Sequence, residues 1–142
     1  MKTSARNQYH GKVTRITQGA VNDEVQLQLP GGQTIVAIVT HESASSLGLA
    51  EGVACFALVK ASSVIVMTDM DGVRMSARNC LQGQVATVQV GAVNSEVVLD
   101  LPGGAQVAAV ITNQSTSNLG LVAGMKAWAM FKASSVILGV TA

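Results

Sequence analysis

A chain of 142 residues with nine Lys and Arg against eight Asp and Glu, net charge +1, lacks the strongly basic face of a general nucleic-acid binder. Its apolar fraction is 49% and its charged fraction 12%, well below the usual quarter, so much surface is expected to be hidden in subunit contacts. No run approaches the ~20 apolar residues of a spanning helix, Met1–Arg6 has no apolar leader core, and the aromatics Tyr9, Phe56, Trp128 and Phe131 are too few for a base-stacking platform.

The elements come in two rounds. Ser4-Ala5-Arg6-Asn7 returns unchanged as Ser76-Ala77-Arg78-Asn79, and 32 of the 67 aligned positions that follow from Ser4 and Ser76 are identical without a gap. So long a period argues for two small modules, residues 1–70 and 71–142, and against a solenoid. The first motif leads into a strand through about Thr17, where Gly11, matched by Gly83, suggests a bend or bulge. Gly19-Ala20-Val21-Asn22 is a turn. Val25, Leu27 and Leu29 then alternate with Glu24, Gln26 and Gln28 as a half-buried strand. Pro30-Gly31-Gly32 turns the chain into a β-branched strand, Gln33–Thr40.

Small residues and Ser from Glu42 to Leu47 predict one or two helical turns, with Thr40 as N-cap and Gly48 as terminator. Two strands follow, Val53–Lys60 and Val64–Met67, separated by Ala61-Ser62-Ser63, and Asp69–Gly72 is the linker. The second round repeats this order to Ala142. Five strands with a short helix between the third and fourth predict a mainly β fold of two tandem OB-like barrels, with an SH3-like barrel as the alternative.

Catalytic arrangements find little support. His10 and His41 become Gln82 and Asn113 in the second round, so neither serves both halves, and both read as surface histidines. Glu24 and Glu96 recur, each alone at a strand start, and read as solvated or turn-capping carboxylates. Cys55 and Cys80 occupy non-equivalent places outside any C-x-x-C, which argues against a bare-cation site or structural disulfide and fits a reducing cytoplasm. What does recur is a set of donors: Ser4, Arg6, Thr40, Lys60, Ser62 and Ser63, returning as Ser76, Arg78, Thr112, Lys132, Ser134 and Ser135. Hydroxyls, cationic groups and turn N–H groups suit a small oxyanion. A site of donors without a carboxylate favours a fully deprotonated dianion (molybdate, tungstate or sulfate) over phosphate, which keeps a proton near pH 7.

Ser-Ala-Arg-Asn opening each module, Gly-Ala-Val-Asn in its first turn and Lys-Ala-Ser-Ser-Val near its end resemble the Mop, or molbindin, family in its tandem, ModG-like form, over about Thr3 to Ala142. The resemblance implies OB-like modules, no enzymatic activity, no cofactor, and cytoplasmic binding of molybdate, with tungstate as a mimic, for storage and homeostasis. It also implies a homotrimer with anions at the contacts between modules. One class of site would use Ser4, Ala5, Arg6, Thr40, Lys60, Ala61 and Ser62, with Ser76, Ala77, Arg78, Thr112, Lys132, Ala133 and Ser134 from the second module. The Ser-Ala-Arg of one module would meet the Thr and Lys of another. A second class, near a threefold axis, would use the turns Gly19, Ala20, Val21, Asn22 and Gly91, Ala92, Val93, Asn94. The same module also ends some regulators and transport proteins; with Ser4 almost at the start, no such attached domain is expected, and delivery of the anion to an enzyme stays open beside storage.

Overall fold

The computed structural model describes residues 1–141; the expected end of the second module at Ala142 lies outside them. Each repeat supplies five strands and one short helix. In the first these are β1 (Asn7–Gln18), β2 (Asn22–Gln28), β3 (Thr34–Thr40), α1 (His41–Ser46), β4 (Ala54–Val59) and β5 (Ile65–Met67). In the second they are β6 (Asn79–Val90), β7 (Asn94–Asp100), β8 (Gln106–Thr112), α2 (Asn113–Leu119), β9 (Lys126–Phe131) and β10 (Ile137–Gly139). A single 3₁₀ turn, Ala61–Ser63 or Ala133–Ser135, precedes each last strand.

The alternation in β2 does what a period of two dictates: Val25 and Leu27 are fully buried, and Val97 and Leu99 repeat this in β7. Thr40 caps α1, its Oγ1 accepting from the Ser43 N–H at 3.1 Å, and Thr112 caps α2 in the same way through Ser115. The bend expected at Gly11 lies two residues further on, since the register of β1 against β2 slips between Val13 and Arg15, and that of β6 against β7 between Val85 and Thr87. Gly11 itself is required by close approach: a Cβ there would run into the carbonyl of Gln28.

The two sheets do not follow the two repeats. Their strand orders are β10-β4-β1-β2-β3 and β5-β9-β6-β7-β8, so the fifth strand of each repeat completes the sheet of the other. Ile137, Leu138 and Gly139 pair with Leu58, Ala57 and Phe56, while Ile65, Val66 and Met67 pair with Met130, Ala129 and Trp128. The boundary expected at residue 70 does not separate the sheets, since each OB-like sheet draws a strand from beyond it. Leu138 and Val66 thus carry their buried side chains into the partner repeat, and the cores of the two halves form one cluster.

Two further devices join the halves. β8 is an edge strand, and the outward-facing backbone of Ala108 bonds to the amide of buried Asn7: Nδ2 donates to the Ala108 carbonyl at 2.9 Å, and Oδ1 accepts from its N–H at 2.8 Å. Asn79 does the same for Val36 on β3, at 2.8 Å in both bonds. A side-chain amide thereby stands in for a neighbouring strand and satisfies a buried sheet edge. The Pro-Gly-Gly turns also meet. A Cβ on Gly103, at φ +89°, would lie 2.5 Å from the Cα of Gly31, and Gln33 Nε2 donates to the Pro102 carbonyl.

Candidate oxyanion site

Ser4, Ala5 and Arg6 form a short arm outside β1, later in starting than the sequence suggests. The ladder of β1 on β4 opposes Asn7 to Val59, which sets this arm beside Lys60 at the start of the 3₁₀ turn. The result is a cleft of about 400 Å³ lined by the arm residues Thr3 to Arg6, by Leu58, Lys60, Ala61 and Ser62, and by Val110 and Ile137 from the other repeat. The expected donors therefore converge, with one difference. Within the chain the arm meets the Lys of its own repeat, and the second repeat contributes an apolar wall through β8 and the exchanged β10. In the second half the register Asn79–Phe131 places Ser76, Ala77 and Arg78 beside Lys132, Ala133 and Ser134 by the same construction.

Thr112 lies in an adjoining cleft of about 650 Å³, with Ser115, Asn94 and Ser62 among its lining residues, so Ser62 borders both. The Thr112 hydroxyl bonds that of Ser115 at 2.9 Å, and Thr40 bonds Ser43 at 2.7 Å in the same way. Thr40 is thus placed as a helix cap away from the Ser4 cleft. The reach of Thr112 toward the first repeat follows from the strand exchange, which packs the turn Ala61–Ser63 on β8.

Both arginines are already paired across the repeats. Two of the five N–H groups of each guanidinium are committed to a carboxylate, since Arg6 grips Glu96 with both Nη atoms and Arg78 holds Glu24 at 2.8 and 2.9 Å. Glu24 and Glu96 are accordingly partners of an arginine in the opposite repeat rather than solvated caps. Their recurrence was the available signal, but no local pattern links positions 90 and 54 residues apart. The Arg78 hydrogen bonds hold the Glu24 carboxyl below its usual range. A depressed folded-state pKa adds stability that is complete above the ordinary carboxylate range, near pH ~4.3, and is lost as pH falls through the folded value. Glu24→Gln should therefore flatten the acid limb of thermal stability between neutral pH and about pH 3; a limb identical to the parent's would contradict this.

The second set of positions is braced differently in each half. Asp23, buried beside Gly19–Asn22, accepts from the Gly19 N–H at 3.3 Å, and the His41 ring Nδ1 lies 2.9 Å from its Oδ2. In the other half Ser95 donates to Asn113 Oδ1 at 2.7 Å, and Asn113 Nδ2 donates to the Gly91 carbonyl at 2.9 Å. Val21 and Val93 point outward from the two turns, each 72% exposed. Asn94 alone of these eight residues lines either of the two clefts. His41 is hence a brace rather than an isolated surface histidine, whereas His10 is exposed and tilts against Phe56, centroids 5.8 Å apart. Among the described residues no group of three or more His, Cys, Asp or Glu could hold a metal ion, and no helix is long and apolar enough to cross a membrane.

A mainly β, OB-like fold built twice, with a polar arm and a lysine at one cleft, defines a tandem β module, and its family is clear: the chain belongs to the TOBE domain family, which matches residues 3–66 and 75–138. The resemblance to the Mop proteins holds. The molybdenum-pterin-binding protein MopA of Rhodobacter capsulatus is 49% identical over 140 residues, covering 99% of this chain and 53% of MopA. The molybdenum transport protein ModE of Azotobacter vinelandii is 48% identical, covering 99% of this chain and 52% of ModE. The chain thus spans about half the length of these curated relatives. A crystal structure of the cytoplasmic molybdate-binding protein ModG with molybdate bound superposes with a TM-score of 0.97 at 50% identity, covering 99% of this chain and all of that one.

Proposed function

We propose that the chain binds molybdate, with tungstate as a mimic, and serves its storage and homeostasis in the cytoplasm without catalysing a reaction. The observation that carries this reading is the convergence of the Ser4–Arg6 arm, Lys60 and Ser62 in one cleft whose neighbouring carboxylate, Glu96, is already bound by Arg6. A dianion there meets an ammonium, hydroxyls and backbone N–H groups, and none of the lining residues carries a carboxylate that would repel it. Likeness to a molybdate-bound ModG supports the choice of anion. The assignment covers Ser4, Ala5, Arg6, Thr40, Lys60, Ala61 and Ser62 and their counterparts in the second half, each arginine acting through its backbone. The turns Gly19–Asn22 and Gly91–Asn94 form the second class, completed by a homotrimer that covers the outward-facing valines. Sensing within a regulator is the second reading, favoured by ModE relatives about twice as long as this chain.

The test is a calorimetric titration of anion-free protein with molybdate, then sulfate and phosphate, with mass in solution measured alongside. More than one molybdate per chain, bound tightly in preference to sulfate by a trimer, is the expected result. Replacing Lys60 and Lys132 together by Ala should weaken binding at each cleft by roughly 10- to 100-fold, the loss of one charge-assisted contact per anion, and leave the oligomer intact. Unchanged affinity in that variant would remove the lysines from the site.

A further inference from the structure

The Ser4–Arg6 arm forms one wall of the cleft. Ser4–Arg6 belong to no strand, and among the described residues the bonds that involve side chains here are the Ala5 N–H to Thr3 Oγ1, within the arm itself, and the grip of Arg6 on Glu96. Glu96 sits on β7, in the other repeat, two residues beyond Asn94. The arrangement is reciprocal, since Arg78 beside Ser76 and Ala77 is held by Glu24 on β2. Each is a two-point fork of guanidinium on carboxylate, which fixes orientation as well as distance.

We propose that Glu96 and Glu24 are positioning residues for the oxyanion sites, each holding the Ser-Ala-Arg arm of the opposite repeat in place so that its N–H and hydroxyl donors line the cleft. This rests on the oxyanion reading given above. The fork has two consequences that pull oppositely once it is cut. Without Glu96 the arm must be ordered by the incoming anion, and fixing backbone freedom at that moment lowers affinity. Without Glu96 the cleft also gains the free charge of Arg6, which by itself would raise affinity for any dianion. Positioning and simple charge therefore predict opposite signs for the same substitution.

Glu96→Gln in the full chain decides between them. The expected result is molybdate binding weakened on the order of tenfold at the first-repeat cleft, with amide order parameters of Ser4–Arg6 in the anion-free protein falling from about 0.85 toward about 0.6 and those of β1 unchanged. Arg6→Lys, which keeps the charge and loses the fork, should weaken binding in the same way. Equal or tighter binding in Glu96→Gln, wild-type affinity in Arg6→Lys, or an arm equally rigid in both variants would overturn the proposal. The relaxation measurement needs no ligand. If the parent protein fails to bind molybdate, the oxyanion reading falls, and arm rigidity still reports whether Glu96 holds the arm.

Discussion

A chain that stops at Val136 should lose structure in the first repeat and keep it in the second. The missing residues include β10, whose Leu138 is buried and whose three positions pair with Leu58, Ala57 and Phe56. Removing one buried Leu costs about 2–3 kcal/mol and a short run of strand hydrogen bonds about 1 kcal/mol each, so a total near 3–5 kcal/mol is expected. Hydrogen exchange should locate it: amides of Phe56, Ala57 and Leu58 lose protection, while β9, still flanked by β5 and β6, keeps its own. Were the strands not exchanged, the damage would fall on β9 beside the cut. Loss of protection in β9 with β4 unaffected would therefore refute the topology. The cleft at Ser4 should suffer too, because Ile137 forms part of its wall.

Asn7→Ala is the second large effect. The side chain is only 2% exposed, and it is the partner of both the N–H and the C=O of Ala108 on the open edge of β8. Truncation leaves two backbone groups buried without partners, at about 1–3 kcal/mol each, so urea unfolding should show a loss of roughly 2–5 kcal/mol. Asn7→Asp separates the halves of that effect: a carboxylate can still accept from the Ala108 N–H but has nothing to give its carbonyl. A loss below about 1 kcal/mol in Asn7→Ala would mean that another group satisfies this edge.

Most of the local structure was legible because its causes are local. The alternation of Val25 and Leu27 announced β2, Thr40 and Gly48 bracketed a helix found at His41–Ser46, and Pro30-Gly31-Gly32 announced a hairpin. The donors of the cleft were legible too, since each recurs 72 residues on. The destination of the fifth strand was not. Ile65-Val66-Met67 presents the same alternating face whether it lies on β4 or on β9, and only the three-dimensional course of the turn before it decides. Asn7 was hidden for a similar reason: it stands within the repeated motif, and nothing in Ser-Ala-Arg-Asn says that three members line a cleft and the fourth holds a distant sheet edge. The carboxylate partner of Arg6 was hidden because it lies in the other repeat.

The meeting of Gly31 with Gly103 is a contact between a residue and its own copy. Such contacts arise on the twofold axis of an isologous dimer, where any change must be accepted by both subunits at once. Here the axis runs through a single chain, and the same reciprocity governs the exchanged strands, the asparagine bridges and the arginine forks. Near the axis the two copies are bound to each other's shape, which leaves glycine little room to vary. Away from it they are free to part company, as a homodimer encoded by one short chain could never be. The turn after β1 is braced by Asp23 and His41, and its copy by Ser95 and Asn113. Covalent fusion has thus turned a symmetric pair into a molecule able to hold two differently tuned halves.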